Sequence, residues 1–187
     1  MSSSLTLYLF RHGQTEWSLT GRHTGHTDIP LTAEGKRQAE SLRAAVSQIK
    51  FAGALVSPLG RARDTASIIQ LNCPARVEQN LIEFDYGEYE GLTTDEIRRT
   101  SPNWTIWTGI CPGGESLANV AERCRQVIAS SAAIGGNVAL IAHGHILRIL
   151  AATWLGHPPE QGSNFMLDTC TLSLLSHEHE IPAVKIW

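Results

Sequence analysis

A largely apolar run, Leu5–Phe10, ends directly at the triplet Arg11-His12-Gly13. A short apolar run that stops at polar residues predicts a buried strand with functional groups at its carboxyl end. In open α/β sheets, ligands bind outside the carboxyl ends of the strands. Arginine offers a cationic fork, neutral histidine offers a nitrogen nucleophile, and glycine lets the backbone approach a ligand. The triplet therefore predicts an α/β sheet with a phosphoryl-binding site at this strand end.

Strands and helices alternate along the rest of the chain. Further strands are predicted at Ala54–Val56, Val77–Leu81, Val138–Ala142, Thr171–Ser176 and Ala183–Trp187. Helices are predicted at Thr32–Ile49, Leu59–Leu71, Thr93–Arg99, Ser116–Ile134 and Ile146–Leu155. The predicted N-caps are Thr32 for the first, Ser57 for the second and Ser116 for the fourth. The segments Trp17–Pro30 and Thr100–Gly114 are read as loops. This alternation predicts one domain over residues 1–187, with a mostly parallel sheet covered by helices on both faces.

Three predicted strand ends carry candidate chemistry: Arg11–Gly13, Ser57–Arg61 and His143–His145. Because the carboxyl ends of parallel strands share one edge of the sheet, these segments are expected to converge. Arg11 and Arg61 can each hold a phosphate through two N–H bonds, and the helix that follows Ser57 can add its free N–H groups. Nearby positive charge should keep His12 neutral, and therefore nucleophilic. His143 would donate to a phosphate oxygen.

A leaving alkoxide needs a proton, and Glu83 is the candidate donor. An apolar setting beside Phe84 and Tyr86, together with a bound dianion, would favour its protonated form. Spacing alone favours the alternative that Glu83, Glu88 and Glu90 form a solvated acidic face, and Asp85 competes for the same role.

Composition excludes several classes of protein. A net charge of −3 gives no sign of nucleic-acid or membrane-surface binding, and no stretch reaches the ~18 apolar residues of a membrane span. The four cysteines form no Cys-x-x-Cys pair, and the first residues have no basic segment typical of a signal peptide. We therefore expect reduced cysteines and a cytoplasmic location.

Taken in order, the motifs Arg11–Gly13, Ser57–Ala66, Glu83–Gly91 and Ala142–Gly144 resemble those of the histidine phosphatase superfamily, in its phosphoglycerate-mutase-like branch. The resemblance implies a three-layer α/β/α sandwich that needs no metal and no cofactor. It also implies that His12 is the phosphohistidine nucleophile and that Glu83 is the proton donor and acceptor. Arg11, Arg61 and His143 would complete the phosphate pocket.

The resemblance also indicates which residues contact the substrate and which subfamily the chain is similar to. The expected contacts are Ser18, Thr24, Gly25, Phe84, Tyr86 and Gly144. Mutases of this branch usually have asparagine at the position of Ser18, arginine at that of Phe84 and a basic insertion farther on. Between Gly91 and Ser116 this chain has only two cations, Arg98 and Arg99, so a substrate with both a carboxylate and a phosphate looks poorly served. The binding region instead has aromatic residues, with Trp104 and Trp107 expected near the cleft mouth. The segment Arg11–Leu31 and the loop Glu83–Leu92 look more like those of the small acid phosphatases and sugar-bisphosphatases.

The predicted function is therefore hydrolysis of small phosphorylated metabolites by a broad-specificity phosphomonoesterase. The alternatives are a sugar-bisphosphatase of the sedoheptulose-bisphosphatase kind and a phosphoglycerate mutase. A different class, a metal-binding protein, is suggested by His143-x-His145 and His177-x-His179, although no carboxylate or cysteine shows ligand spacing around them. The edge of the C-terminal strand could pair with a second copy as a homodimer.

Overall fold

The computed structural model describes residues 5–187, in which six strands form one sheet. The strands are β1 (Thr6–Arg11), β2 (Gly53–Val56), β3 (Ala75–Val77), β4 (Asn137–Ala142), β5 (Leu172–Glu178) and β6 (Ile181–Ile186). Their order across the sheet is β3-β2-β4-β1-β5-β6. The first four in this order are parallel, and β5 and β6 add an antiparallel hairpin at one side. The prediction of a mostly parallel sheet is confirmed, and the division into domains stays a prediction.

Six α-helices accompany the strands in the described residues. They are α1 (Glu16–Leu19), α2 (Ala33–Val46), α3 (Gly60–Ile69), α4 (Thr94–Arg98), α5 (Leu117–Ile134) and α6 (Gly144–Trp154). Short 3₁₀ helices lie at Gln79–Leu81, Gly87–Tyr89 and Pro159–Asn164. Thr32 caps α2 and Ser116 caps α5, each through its side-chain oxygen, as their positions predict.

Alternating side chains of the strands form two cores, one on each face of the sheet. On β1, Leu7 and Leu9 belong to the core shared with α5 and α6. Phe10 belongs to the opposite core, which α2 and α3 close. Successive residues of a strand point to opposite faces, so burial on both sides explains why β1 and β4 are apolar along their length. The three-layer α/β/α sandwich is confirmed.

The register of the central strands brings the predicted chemistry together. Arg11, the last residue of β1, pairs with Ala142 at the end of β4. Val56, the last residue of β2, pairs with Ile141 of the same strand. The residues that follow these pairs therefore meet at one edge of the sheet.

Several local predictions are wrong at their boundaries. The segment predicted as a loop over Trp17–Pro30 overlaps α1, which Thr15 begins with a capping box. The predicted strand at Val77–Leu81 divides into the end of β3 and a 3₁₀ turn. Helix α6 begins at Gly144, two residues earlier than expected, directly after β4.

Ser57 is not the N-cap of α3. The helix begins at Gly60, and the residue in the N-cap position, Leu59, has no side chain able to cap it. The hydroxyl of Ser57 instead lies 2.6 Å from a ring nitrogen of His143. The side chain of Ser57 therefore makes a tertiary contact with His143, whereas its position in the sequence predicted that it would cap a helix.

No helix within residues 5–187 is long and apolar enough to cross a membrane.

Candidate active site

His12 follows β1 and is 4% exposed. Its Nδ1 lies 2.7 Å from the carbonyl oxygen of Gly13. A carbonyl oxygen only accepts, so Nδ1 carries the ring proton and Nε2 keeps a free lone pair. Burial, and then the charges of Arg11 and Arg61, hold the pKa of His12 well below its usual value. The ring is therefore neutral and presents a nucleophilic nitrogen.

Gly13 is required by packing against α2. A Cβ at this position would collide with the carbonyl oxygen of Gly35 in the first turn of α2. Its amide donates to the hydroxyl of Thr65 on α3, at 3.1 Å. Because Gly13 has no side chain, its backbone can contact the backbone of Gly35 beside the nucleophile. The sequence instead suggested that Gly13 lets the backbone approach a ligand.

Arg11 lies against the first residue of α6. Its Nη1 donates to the carbonyl of Leu167 at 2.5 Å. A Cβ on Gly144 would be 3.4 Å from the guanidinium carbon of Arg11, so this glycine leaves room for the cation. The Nε of Arg11 is buried without a hydrogen-bond partner among residues 5–187. Arg11 therefore retains a buried donor next to His12.

Arg61 and His143 form a buried layer behind His12. The ring of His143 lies 5.1 Å from that of His12, measured between centroids. The Nε of Arg61 donates to Nδ1 of His143 at 3.1 Å. Since Nδ1 accepts, the ring proton is on Nε2, which donates to the hydroxyl of Ser57. Burial, and then Arg61, hold the pKa of His143 well below its usual value, so this ring is also neutral.

The remaining donors of Arg61 hold the loop that precedes Asp28. Its Nη2 donates to the carbonyls of Thr24 (3.1 Å) and Gly25 (2.8 Å), and its Nη1 to that of Thr27 (2.9 Å). Direct contact of Arg61 with a phosphoryl group stays a prediction, and it would require these donors to turn from their present acceptors. In this arrangement the guanidinium places a fixed positive charge behind His12.

Two carboxylates complete the support of this loop. Asp28 accepts from the amides of Gly60 (2.5 Å) and Arg61 (3.3 Å), at the N-terminus of α3. This corrects the expectation that those amides are free for phosphate. Glu90 accepts from the amide of Gly25 at 2.9 and 3.0 Å. A Cβ on Gly25 would lie 2.5 Å from the carbonyl oxygen of Phe84, so Gly25 belongs to a tight backbone contact and not to the cleft wall.

Glu83 is 4% exposed and does not belong to a solvated acidic face. Its Oε1 accepts from the amides of Phe84 and Ile146, both at 2.9 Å. Its Oε2 accepts from the amide of His145 at 3.0 Å. The first turn of α6 thus positions this carboxylate at the cleft, as a member of its lining. Glu88, by contrast, is exposed.

These groups surround a cleft of about 170 Å³. It is lined by Arg11, His12, Ser18, Gly21, Arg22, His23, Thr24, Glu83, Tyr86, Gly144, His145, Arg148 and Leu167. The structure therefore brings together Arg11, His12, Glu83 and four of the predicted substrate contacts: Ser18, Thr24, Tyr86 and Gly144. The hydroxyl of Ser18 donates to the carbonyl of Thr15 at 2.9 Å, so it can offer only lone pairs to a ligand.

The aromatic residues are placed differently from the prediction. Phe84 is 2% exposed, packs in the core and is not among the residues that line the cleft. Trp104 stacks edge-on behind His23, with centroids 5.2 Å apart, and Trp107 lies 5.3 Å from His145. The two tryptophans thus back the cleft wall and do not form its mouth.

Six lining residues were missed as substrate contacts: Gly21, Arg22, His23, His145, Arg148 and Leu167. A signal was available for Arg148, because it lies four residues after Gly144 and so shares its helix face. The Nδ1 of His145 lies 2.6 Å from the hydroxyl of Tyr86. Burial lowers the pKa of His23 to about 4 and holds that of His145 well below its usual value. Both rings are neutral.

Residues 5–187 contain no group of three histidine, cysteine or acidic side chains that could hold a metal ion. His177 packs against Trp154, with centroids 4.9 Å apart, and His179 is exposed. His143 and His145 bond to Arg61 and Tyr86, respectively.

Comparison with known proteins gives a consistent result. Residues 7–187 match the model of the histidine phosphatase superfamily (branch 1). The chain is similar to an acid phosphatase of Mycobacterium tuberculosis, with 38% identity over 96% of this chain and 90% of the relative. It is also similar to a probable phosphoglycerate mutase GpmB of Serratia proteamaculans, with 33% identity over 93% and 86% of the two chains. The solved structure of the open reading frame Rv3214 from Mycobacterium tuberculosis superposes with a TM-score of 0.92 and 36% identity, over 97% of this chain and 96% of the other.

Proposed function

The chain belongs to branch 1 of the histidine phosphatase superfamily and is a phosphatase, and we propose that it hydrolyses small phosphomonoesters through a phosphohistidine intermediate on His12. One observation carries this proposal. The bond from Nδ1 to the carbonyl of Gly13 leaves the lone pair of Nε2 free in a cleft that also holds Arg11 and Glu83. A neutral, buried imidazole beside fixed positive charge suits attack on a phosphoryl group.

In the first step, Nε2 of His12 forms a bond to phosphorus while the bond from phosphorus to the alkoxide oxygen breaks. Glu83 gives its proton to the departing oxygen, so that an alcohol leaves. In the second step, water attacks phosphorus, Glu83 takes the proton of that water, and phosphate leaves with His12 restored.

The remaining groups stabilise charge and position the substrate. Arg11 offers its buried Nε to the phosphoryl oxygens, and Arg61 supplies positive charge from behind the nucleophile. His143 would reach the phosphoryl group through its Nε2–H after release from Ser57. Ser18, Thr24, Tyr86 and Gly144 form the wall against which the substrate lies.

The test compares His12→Ala with His179→Ala, which changes an exposed histidine that is not part of the cleft lining. We expect His12→Ala to lose at least 1,000-fold in kcat for p-nitrophenyl phosphate, because covalent catalysis is removed, and His179→Ala to match the wild type. Rapid quench in base should trap an acid-labile, base-stable phosphoenzyme only in proteins that contain His12. Turnover and a phosphoenzyme that survive His12→Ala would refute the proposal.

The mutase and sugar-bisphosphatase alternatives are not favoured. The relative with 38% identity is named an acid phosphatase, and the mutase-named relative is less similar, at 33%.

The location and the partners are proposals as well. A cytoplasmic location is supported by four free cysteines, which are typical of a reducing compartment. A homodimer is supported by the edge strand β6, where Ile181 is 70% exposed. The net charge of −3 supports a protein that does not bind nucleic acid.

A further inference from the structure

Arg123, on α5, and Glu115, just before that helix, form an ion pair that is largely shielded from solvent. The Nε and Nη2 of Arg123 donate to the two carboxylate oxygens of Glu115, at 3.3 and 2.5 Å. Each of these side chains is 17% exposed, whereas those of Arg125 and Glu122, a second pair on the same helix, are 61% and 59% exposed. Two parallel bonds to one carboxylate hold both groups in a fixed geometry, and burial reduces screening by water and salt.

Arg123 also holds the backbone directly before Glu83. Its remaining nitrogen, Nη1, donates to the carbonyls of Asn80 (2.7 Å) and Ile82 (2.8 Å). Hydrogen bonds from a charged donor are stronger than those between neutral groups. All three nitrogens of the guanidinium therefore have acceptors, and the side chain links α5 to the residue that precedes Glu83.

Glu115 holds the backbone on the other side of Glu83. Its Oε1 accepts from the amide of Asp85 at 3.0 Å, and its own amide donates to the carbonyl of Asp85 at 3.0 Å. Residues 83–86 follow neither a helix nor a strand, so no regular hydrogen-bond pattern fixes them. Within residues 5–187, the backbone of Ile82–Asp85 makes no further hydrogen bond beyond residues 79–85. The place of this backbone therefore depends on Arg123 and Glu115.

The carboxylate of Glu83 needs that backbone in place to reach α6. It accepts from the amides of His145 (3.0 Å) and Ile146 (2.9 Å), in the first turn of the helix. These bonds orient the carboxylate, but they form only where the backbone carries it within reach. A displacement of ~1 Å at a reacting group can cost ~100-fold in rate.

We propose that Arg123 and Glu115 are positioning residues for proton transfer, which together hold Glu83 at the oxygen of the leaving group. The inference rests on the proposed function, since that function makes Glu83 the proton donor. Neither Arg123 nor Glu115 lines the cleft. Their loss should therefore slow the departure of leaving groups that need a proton and spare those that do not.

The test uses two substrates of similar shape, phenyl phosphate and p-nitrophenyl phosphate. Phenolate is the more basic anion and needs a proton to leave, whereas nitrophenolate leaves without one. The value of kcat/KM covers the steps up to release of the phenol, so the later attack by water does not enter it. We expect the ratio of kcat/KM for p-nitrophenyl phosphate to that for phenyl phosphate to rise about tenfold or more in Arg123→Gln. Partial unfolding lowers both values alike and leaves the ratio unchanged.

The matched control is Arg125→Gln, which removes the same charge from α5 together with an ion pair to Glu122. The ratio in this control should equal that of the wild type. Arg123→Lys should show a smaller rise than Arg123→Gln, because an ammonium can still donate to a carbonyl but lacks the planar fork that binds both oxygens of Glu115. Thermal unfolding of each variant reports whether the fold is retained.

Glu115→Gln tests the other member of the pair. It keeps an oxygen for the amide of Asp85 but loses the charge that holds Arg123, so the ratio should rise about threefold or more. Because the two residues act together, the double variant should have nearly the same ratio as Arg123→Gln alone. If Arg123→Gln does not fold, Arg123→Lys and Glu115→Gln provide the same comparison.

A ratio within about twofold of the wild type in folded Arg123→Gln, or in both substitute variants if that protein does not fold, overturns the inference. Glu83→Gln separates this result from a failure of the proposed function. If Glu83→Gln raises the ratio while Arg123→Gln does not, Glu83 remains the proton donor and the positioning role alone is wrong. If Glu83→Gln leaves the ratio unchanged, Glu83 is not the donor, and the inference is overturned together with that part of the proposed function.

Discussion

The neutral state of His23 makes the stability of this fold depend on pH. Burial lowers the pKa of His23 to about 4, whereas an unfolded histidine titrates near 6.5. As the pH falls below 6.5, His23 becomes protonated in the unfolded chain but stays neutral in the folded chain. The free energy of unfolding therefore decreases with falling pH until the pH reaches the pKa of His23 in the folded chain, about 4. At ~1.4 kcal/mol per pH unit, about 2 kcal/mol should be lost between pH 7 and pH 5 through this residue alone.

The assay is urea unfolding of the wild type and of His23→Phe at pH 7 and pH 5. Other buried histidines contribute in both proteins, so the difference between them isolates His23. We expect the free energy of unfolding of His23→Phe to fall about 2 kcal/mol less than that of the wild type over this interval. His179→Gln, at an exposed position, should follow the wild type. Equal losses in the wild type and in His23→Phe, within about 0.5 kcal/mol, would refute the assignment of a buried neutral ring.

Two further predictions concern the acid and the packing of the nucleophile segment. Glu83→Gln should reduce kcat for glycerol 3-phosphate by about 100-fold or more, but kcat for p-nitrophenyl phosphate much less, since nitrophenolate leaves without a proton. Steady-state kinetics on both substrates measure the two reductions. Equal reductions would contradict the role of Glu83 as the proton donor. Gly13→Ala should lower the free energy of unfolding by about 1–3 kcal/mol, because the new methyl group meets the carbonyl of Gly35; urea unfolding measures the loss, and a stability equal to the wild type would show that α2 can shift at no cost.

The layers of the fold and the convergence of its strand ends were predictable from sequence. Apolar runs with chemistry at their ends are enough to place Arg11, His12 and His143 on one edge, because parallel pairing brings the carboxyl ends of strands together. Side-chain direction in irregular segments was not predictable. Phe84 and Tyr86 are two residues apart, yet only Tyr86 lines the cleft, since the backbone between them follows neither a helix nor a strand.

Long-range partners account for most of the other errors. Ser57 has the local signature of an N-cap, but its hydroxyl contacts His143, 86 residues away. Asp28, in a loop 32 residues before Gly60, accepts from the amide of Gly60 at the start of α3. No periodicity or spacing in the sequence indicates either of these two pairings. Arg148 lies on α6, outside the segment between Gly91 and Ser116 whose cations bear on the resemblance.

The hydrogen bonds of Arg61 have a consequence for how the site accepts an anion. Three carbonyls and one ring nitrogen already surround this guanidinium, so its hydration shell is removed when the chain folds. A phosphoryl group that arrives beside it need not displace ordered water from that charge, and the surrounding dipoles need not rotate as negative charge moves toward the departing oxygen. The free energy needed to dehydrate this cation therefore lowers the stability of the folded protein, and it does not add to the barrier of each turnover.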